Sequence, residues 1–393
     1  MNKVCVITGT RAEYGLLYPL LKRIDTDAQV ELNIVVTGSH LSSEYGLTYK
    51  AVLEDGFEIN KKIDIILSSD SKSAVCKSMG LAMIGFGEYY EEQSFDMIIV
   101  LGDRFEIFAA VSAACVVGTP VAHLHGGELT EGAYDEFFRH SITKMSLLHF
   151  TSTEEYRNRV IQLGEEPQRV FNVGAIGIEN IRSLPLLTRD ELSKSLDVKL
   201  NSKYGVVTFH PVTLEQSEAE VQIKVLLKAL ESFPDMIFII TKANADNGGR
   251  AINKVIDRYT RDYNTKFFAF TSLGQLRYLS AIKHAEVVIG NSSSGIIEAP
   301  AFHKPVVNIG DRQKGRIASK AVLNCKTEYE AIKKTVNYAM SEEFIKIAQE
   351  AKNPYGEGEV SEKIWYEINH YFLANKFTNR KKFFDLPGRE LYE

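Results

Sequence analysis

Short runs rich in valine and isoleucine recur along this chain, separated by stretches long enough for a helix, and that rhythm constrains the fold more than any other feature. The runs lie at residues 3–8, 31–36, 96–101, 120–124 and 168–173, then at 204–209, 236–241, 266–270, 286–290 and 305–309. Continuous apolar runs alternating with amphipathic stretches are the mark of a parallel sheet covered by helices on both faces. Stripes such as Leu16, Pro19, Leu20 and Leu21 read as core-facing helix sides. At 393 residues the chain is about twice a typical domain, so the two groups of runs predict an α/β protein with two doubly wound, Rossmann-like sheets. Gly174, Gly177 and Pro185 interrupt the pattern before a polar, helix-like segment, Thr188 to Leu192. The expected domains are therefore 1–176 and 177–360, with a tail, 361–393, crossing back. Ligands in such sheets bind beyond the carboxyl ends of the strands, so the loops that follow strands carry the search for function.

Composition narrows the partners. A formal net charge of −5 offers no bulk attraction to nucleic acid or an anionic membrane. No run approaches 18 apolar residues, and the chain enters a strand at Lys3–Thr8 without an apolar leader, so a cytoplasmic protein that does not span a membrane is expected. Cys5, Cys76, Cys115 and Cys325 are scattered without metal spacing and read as buried thiols of a reduced compartment. The tail from about 361 reads as a helix with Trp365, Tyr366, Ile368, Tyr371 and Phe372 on one side, followed by a basic, aromatic end. That face needs either the first domain or a second subunit to cover it.

In the second half, Gly290-Asn291-Ser292-Ser293-Ser294-Gly295 follows an apolar strand and opens a helix. Glycine frees the turn, serines supply hydroxyls, and free N–H groups at a helix start favour an anion, so a phosphate suits this turn. A serine-rich structural cap is the plainer alternative. Glu298 lies one turn further on, where a carboxylate could accept from a ribose hydroxyl. His210 and Asn244 also follow strands, and Gly310 to Arg316 sets Arg312, Lys314 and Arg316 after the next one.

The first half opens strand, Gly9-Thr10-Arg11-Ala12-Glu13-Tyr14-Gly15, helix. The turn is neither the dinucleotide fingerprint nor a P-loop, yet a guanidinium there suits phosphate. An Arg11–Glu13 surface contact is the alternative. Gly102-Asp103-Arg104 and His123-Leu124-His125-Gly126-Gly127-Glu128 put titratable groups directly after strands, where they can share proton transfer. His123 and His125 point to opposite faces of a strand, so a buried structural role is expected for His123, and a metal site built on the pair with Glu128 lacks further ligands. On a helix, Asp135 and Arg139, with Glu136 and His140 beside them, make neighbouring pairs. The Gly126-Gly127 turn next to them suggests a mobile loop.

With these residues in view, the chain closely resembles the hydrolysing UDP-N-acetylglucosamine 2-epimerases of bacterial sialic-acid and related nonulosonic-acid pathways. The likeness rests on Gly9–Gly15, Gly102-Asp103-Arg104, His125-Gly126-Gly127-Glu128, Arg139–Lys144, Phe209-His210-Pro211-Val212-Thr213, Gly290–Ser293 and Gly310–Gln313, in that order. The resemblance implies facing, GT-B-like domains with the final helix packed on the first, no metal and no other cofactor, a UDP-sugar substrate and a homodimer. It implies UDP contacts from His210, Asn244, Leu273, Gly290, Asn291, Ser292, Ser293, Glu298 and Arg312, joined by Arg11 and Arg104. Elimination of UDP to a 2-acetamidoglucal, then hydration, is the implied reaction, with Asp103, Glu128 and Asp135 as acid and base candidates and Glu136, Arg139 and His140 as neighbours. Several relatives carry glutamate where this chain has His125, so either His125 or Glu128 takes the role at that turn.

Overall fold

The structure is a computed structural model that describes residues 1–67, 71–130, 134–211, 219–243, 249–374 and 380–386. It divides into two units: Met1–Glu128 with Asp135–Glu179 and Gly358–Glu393, and Leu129–Tyr134 with Asn180–Glu357.

Among the described residues the first unit holds seven strands, β1 (Asn2–Thr8), β2 (Val30–Thr37), β3 (Lys61–Ile63), β4 (Met97–Leu101), β5 (Val121–Leu124), β6 (Leu148–Thr151) and β7 (Val170–Asn172). They lie in the order β3-β2-β1-β4-β5-β6-β7, every pairing parallel. Alternate residues of β1 serve different cores, because successive side chains of a strand leave opposite faces. Val4 and Val6 join Leu17, Leu20 and Ile34 on one face. Cys5 and Ile7 join Phe86, Ile98 and Ile107 on the other.

The second unit repeats the plan with β8 (Lys203–Thr208), β9 (Met236–Thr241), β10 (Phe267–Phe270), β11 (Val287–Gly290), β12 (Val306–Ile309) and β13 (Val322–Cys325). Their order is β10-β9-β8-β11-β12-β13, again parallel. Both sheets thus share the Rossmann order, with one added edge strand in the first, and each has a switch point where the winding reverses. Those points fall between β1 and β4 and between β8 and β11.

Three strands escape the apolar rhythm. The three residues of β3 carry two lysines, β6 contains His149 and Thr151, and β13 is an edge with Asn324 in it. The polar segment Thr188–Leu192 does start a helix, Arg189–Leu196, through a capping box in which Thr188 and Glu191 satisfy each other's backbone N–H groups.

The last helix, Val360–Ala374, packs on helix Arg11–Asp25 within the first unit, burying Ile364, Trp365 and Ile368 among Leu17 and Leu21. Trp365 Nε1 donates to Asp27 Oδ2 at 3.1 Å. Tyr366 departs from the expected apolar side. The helical turn carries it away from Trp365 and Ile368, and it lies 66% exposed, stacked on His370. The cysteines also differ from expectation. Cys5 is buried, but Cys76 and Cys115 are exposed and Cys325 is partly so. Cys115 sits near the end of helix Phe105–Val117, whose apolar residues continue round to its outer side, so an apolar run there did not imply burial. No described helix is long and apolar enough to cross a membrane.

Candidate active site

Two neighbouring strands of the first sheet deliver its titratable groups. Asp103 and Arg104 follow β4, His125 to Glu128 follow β5, and β4 pairs with β5 in register from Ile98–Val121 to Leu101–Leu124. Helix Asp135–Met145 brings Arg139, which is buried and donates from Nη2 to Asp103 Oδ2. Its Nη1 lies 3.8 Å from Glu136 Oε2, and Glu136 Oε1 is 3.1 Å from His140 Nε2. Burial disfavours the Arg139 charge, yet the carboxylates of Asp103, Glu128, Glu136 and Asp135 outweigh it and hold the guanidinium above its ordinary value. The helix therefore joins Arg139 to Asp103 across 36 residues, a link that pairing within the helix did not suggest.

Glu128 is 3% exposed. Its Oε1 accepts from Ser152 Oγ at 3.0 Å and lies 2.8 Å from His125 Nδ1. The Ile176 N–H donates to His125 Nε2 at 3.3 Å, which leaves the ring proton on Nδ1, directed at Glu128. His125 stands just beyond β5 in a left-handed conformation, φ 65°. Gly126 and Gly127 are buried rather than forming an open loop.

His123 has the expected buried structural role. Its Nε2 donates to the Gly102 carbonyl at 2.8 Å and its Nδ1 accepts from Thr143 Oγ1 at 3.1 Å. Burial holds its pKa at about 3, so it stays neutral. Among the described residues no group of three His, Cys, Asp or Glu side chains is placed to hold a metal.

At the switch point, Arg104 Nε donates to Glu106 Oε1 at 2.8 Å and lies 3.8 Å from Glu13 Oε1. Glu13 does not pair with Arg11 on the surface. It turns inward, accepts the Gly9 N–H at 2.7 Å, and is pushed by burial and by the nearby Glu106 to a pKa of about 8. Arg11, at the first position of its helix, is exposed. Glu106 stands in the titratable stretch after β4 and Glu13 in the turn after β1, but the sequence did not suggest that the two would meet around Arg104. Thr10 and Glu13 do have the spacing of a helix cap, which was the available signal.

The second unit builds its loops around Asn291. Gly290 pairs with Thr208 in register and has φ 135°, and a Cβ there would strike the Thr208 carbonyl. The Asn291 side chain, 2% exposed, accepts the His210 N–H at 2.7 Å and donates to the His210 carbonyl at 2.8 Å. Its own carbonyl accepts from Arg312 Nη1 at 3.0 Å and Gln313 Nε2 at 2.8 Å. One asparagine thus ties together the loops after β8, β11 and β12.

Ser292 caps helix Ser293–Ile297, and Ser294 Oγ meets Tyr278 Oη at 2.8 Å. This helix has only five residues, so its dipole contributes less than a long helix would, and the donors of the turn are chiefly hydroxyls and the Arg312 guanidinium. Glu298 follows it in a helical conformation. Arg316 does not join the cradle; it donates to the Leu129 carbonyl at 2.8 Å and to Thr130 Oγ1 at 3.2 Å. The Leu273 side chain is 3% exposed and packs in the sheet core, which leaves only its backbone for a ligand. Asn244 lies outside the described residues.

Two Rossmann-like parallel α/β domains, each with polar and charged loops at its switch point, form a doubly wound class that takes ligands beyond the strand ends. The fold matches the crystal structure of UDP-GlcNAc 2-epimerase from Neisseria meningitidis bound to UDP-GlcNAc with a TM-score of 0.78 at 18% identity, over 94% of this chain and all of that one. A profile described as UDP-N-acetylglucosamine 2-epimerase matches residues 22–369, and the chain belongs to that family. It is 45% identical over 323 residues to a GDP/UDP-N,N'-diacetylbacillosamine 2-epimerase (hydrolyzing) of Campylobacter jejuni, covering 82% of this chain and 84% of the relative. It is 40% identical to the polysialic acid biosynthesis protein P7 of Escherichia coli, covering 98% of each.

Proposed function

We propose that the protein is a hydrolysing 2-epimerase that converts UDP-N-acetylglucosamine and water to UDP and N-acetylmannosamine. The observation that carries this reading is the cluster of Asp103, Glu128 and His125 at the ends of adjacent strands, with Arg139 brought to Asp103 by a helix, in a chain of this family. A carboxylate takes the proton from C2 as the C1–oxygen bond breaks and UDP departs, leaving a 2-acetamidoglucal. Water then adds across the double bond, its hydroxyl to C1 and a proton to the opposite face of C2. Two carboxylates with different partners, Asp103 on Arg139 and Glu128 on His125 and Ser152, suit those opposed proton transfers.

Asp103, ion-paired to a buried arginine, is the proposed base, with Asp135 and Glu136 close in sequence to the same guanidinium. Glu128 is the proposed second group. His125 has both ring nitrogens engaged within the protein, so it orients Glu128 instead of exchanging the proton itself. The second unit is proposed to hold UDP through Ser292, Ser293, Arg312, His210 and Glu298, with Arg312 supplying a cation for the leaving diphosphate. Preorganised donors stabilise charge that develops on a leaving group.

The 45% identity to a relative named for N,N'-diacetylbacillosamine favours a second sugar, the UDP-linked 2,4-diacetamido-2,4,6-trideoxy compound. Incubation with each nucleotide sugar in deuterated water decides between them. Release of UDP with deuterium at C2 of the free sugar is expected from one or both. Transfer to an acceptor without label at C2 would instead identify a glycosyltransferase, and no UDP release from either sugar would overturn the proposal. We further propose that the enzyme works in the cytosol as a homodimer, a second copy covering Leu81, Met83 and Ile84 of helix Lys72–Glu92 and Val116 of helix Phe105–Val117, all exposed. A monomer on sizing in solution would refute that arrangement.

A further inference from the structure

The basic, aromatic end of the chain has no part in the reaction just described, yet residues 380–386 are docked in detail on the first unit. Lys381 Nζ donates to the Lys144 carbonyl at 2.7 Å and the Ser146 carbonyl at 2.6 Å. It also pairs with Glu165 Oε2 at 2.6 Å. Glu165, 1% exposed, takes Lys144 Nζ at 2.7 Å and His149 Nε2 at 2.9 Å as well. Burial by itself would raise the Glu165 pKa, but His149 and the two ammonium groups overcome it and hold the carboxyl at about 2. Burial keeps the fully buried His149 below its ordinary value.

Three further contacts seat the segment. The Phe384 N–H donates to the Gly164 carbonyl at 2.9 Å. The Phe383 ring lies so close over Gly164, whose φ is 87°, that a Cβ there would collide with it. Phe384 and Leu386 pack on Val160, Ile161 and Val170.

Lys144 and Ser146 mark the carboxyl end of helix Asp135–Met145. The last carbonyls of a helix have no partner within it, and a cation there satisfies them and complements the dipole. Asp135 and Glu136 open the same helix, and Arg139 and His140 stand at its middle, about one turn before Lys144. We infer that Lys381 is a positioning residue, a clamp supplied from more than 230 residues away that fixes the helix bearing Arg139 so that its guanidinium meets Asp103 in one geometry. The catalytic consequence rests on the function proposed above; the clamp itself does not.

The test compares the full-length chain with Lys381→Met and Lys381→Arg. Amide hydrogen exchange over residues 139–146 is expected to quicken in Lys381→Met and to return toward the parent rate in Lys381→Arg, with the β1 and β4 amides unchanged. Because a misplacement of about 1 Å can cost on the order of 100-fold in rate, kcat for UDP-sugar hydrolysis is expected to fall by roughly 10- to 100-fold in Lys381→Met, with KM moving less than about 2-fold and partial rescue in Lys381→Arg. Unaltered exchange in Lys381→Met, or exchange that quickens equally throughout the first sheet, would overturn the clamp. A changed helix with an unchanged kcat would overturn its role in positioning. Should the parent protein hydrolyse no UDP-sugar, the functional reading fails, while the exchange experiment still decides whether the clamp exists.

Discussion

The two sheets share one strand order, but the loops at their switch points are built from opposite materials. In the first unit the loops after β1, β4 and β5 converge on charge: Glu13 and Glu106 against Arg104, and Asp103 against Arg139. In the second, the loops after β8, β11 and β12 converge on a neutral amide, Asn291, with a single guanidinium joined to it. A neutral, hydrogen-bonded frame holds its shape across the pH range, as a binding surface requires. A buried cluster of carboxylates and arginines instead has protonation states that respond to pH and to each other. The difference teaches that the Rossmann order fixes where a ligand can sit, while the loops decide which charges and donors would meet it there.

Breaking one side at a time tests this division. The largest effect is expected from Asp103→Asn, which keeps the shape but removes the proposed base. Turnover should fall by about 1,000-fold, within the range usual for general acid–base groups, while UDP affinity by calorimetry stays within about 2-fold. Comparable losses of both would show that the two sites are not separable. Arg312→Ala attacks the other side and should weaken UDP by about 10- to 100-fold, the loss expected when a charged hydrogen bond to a diphosphate is removed.

Asn291→Ala removes a buried hub and both hydrogen bonds that it makes to the His210 backbone. A stability loss of about 2 kcal/mol is expected, or roughly 4–8 °C in the melting of a unit this size. Amide exchange should place that loss in the second sheet, and an unchanged melt would demote the asparagine to a bystander. The smallest effect concerns Glu13. Its pKa is raised from 4.5 to about 8, so the folded state binds this proton more tightly than the unfolded chain does. That contribution is whole below about 4.5 and is lost as pH rises through about 8. In Glu13→Gln the decline of stability between those pH values should be shallower; an identical pH profile in both proteins would show that Glu13 carries no such proton.

Much of this architecture was legible in the residues themselves. The Val and Ile runs announced ten of the strands because a strand buried on both faces has to be apolar throughout. The runs were silent on β3, β6 and β13, where Lys61, His149 and Asn324 stand in the strand. Loops such as Gly102-Asp103-Arg104 and Gly290-Asn291-Ser292 could be found because glycine and titratable residues directly after a strand are conspicuous. That Glu13 and Glu106 would turn inward together was not conspicuous, since a carboxylate in a first helical turn looks like any solvated cap.

Sequence by itself determined the class of fold, the position of the glycine-bearing and charged loops along the chain and the family, because each depends on local pattern and order. Only the tertiary structure decided which charges meet. Arg139 finds Asp103 instead of a neighbour on its own helix, Glu13 turns inward to the Gly9 amide, and Lys381 caps a helix from the far end of the chain. The reason is physical: a periodic pattern is written in neighbouring residues, whereas the partner of a buried charge is chosen by whatever the packed strands bring within about 3 Å of it.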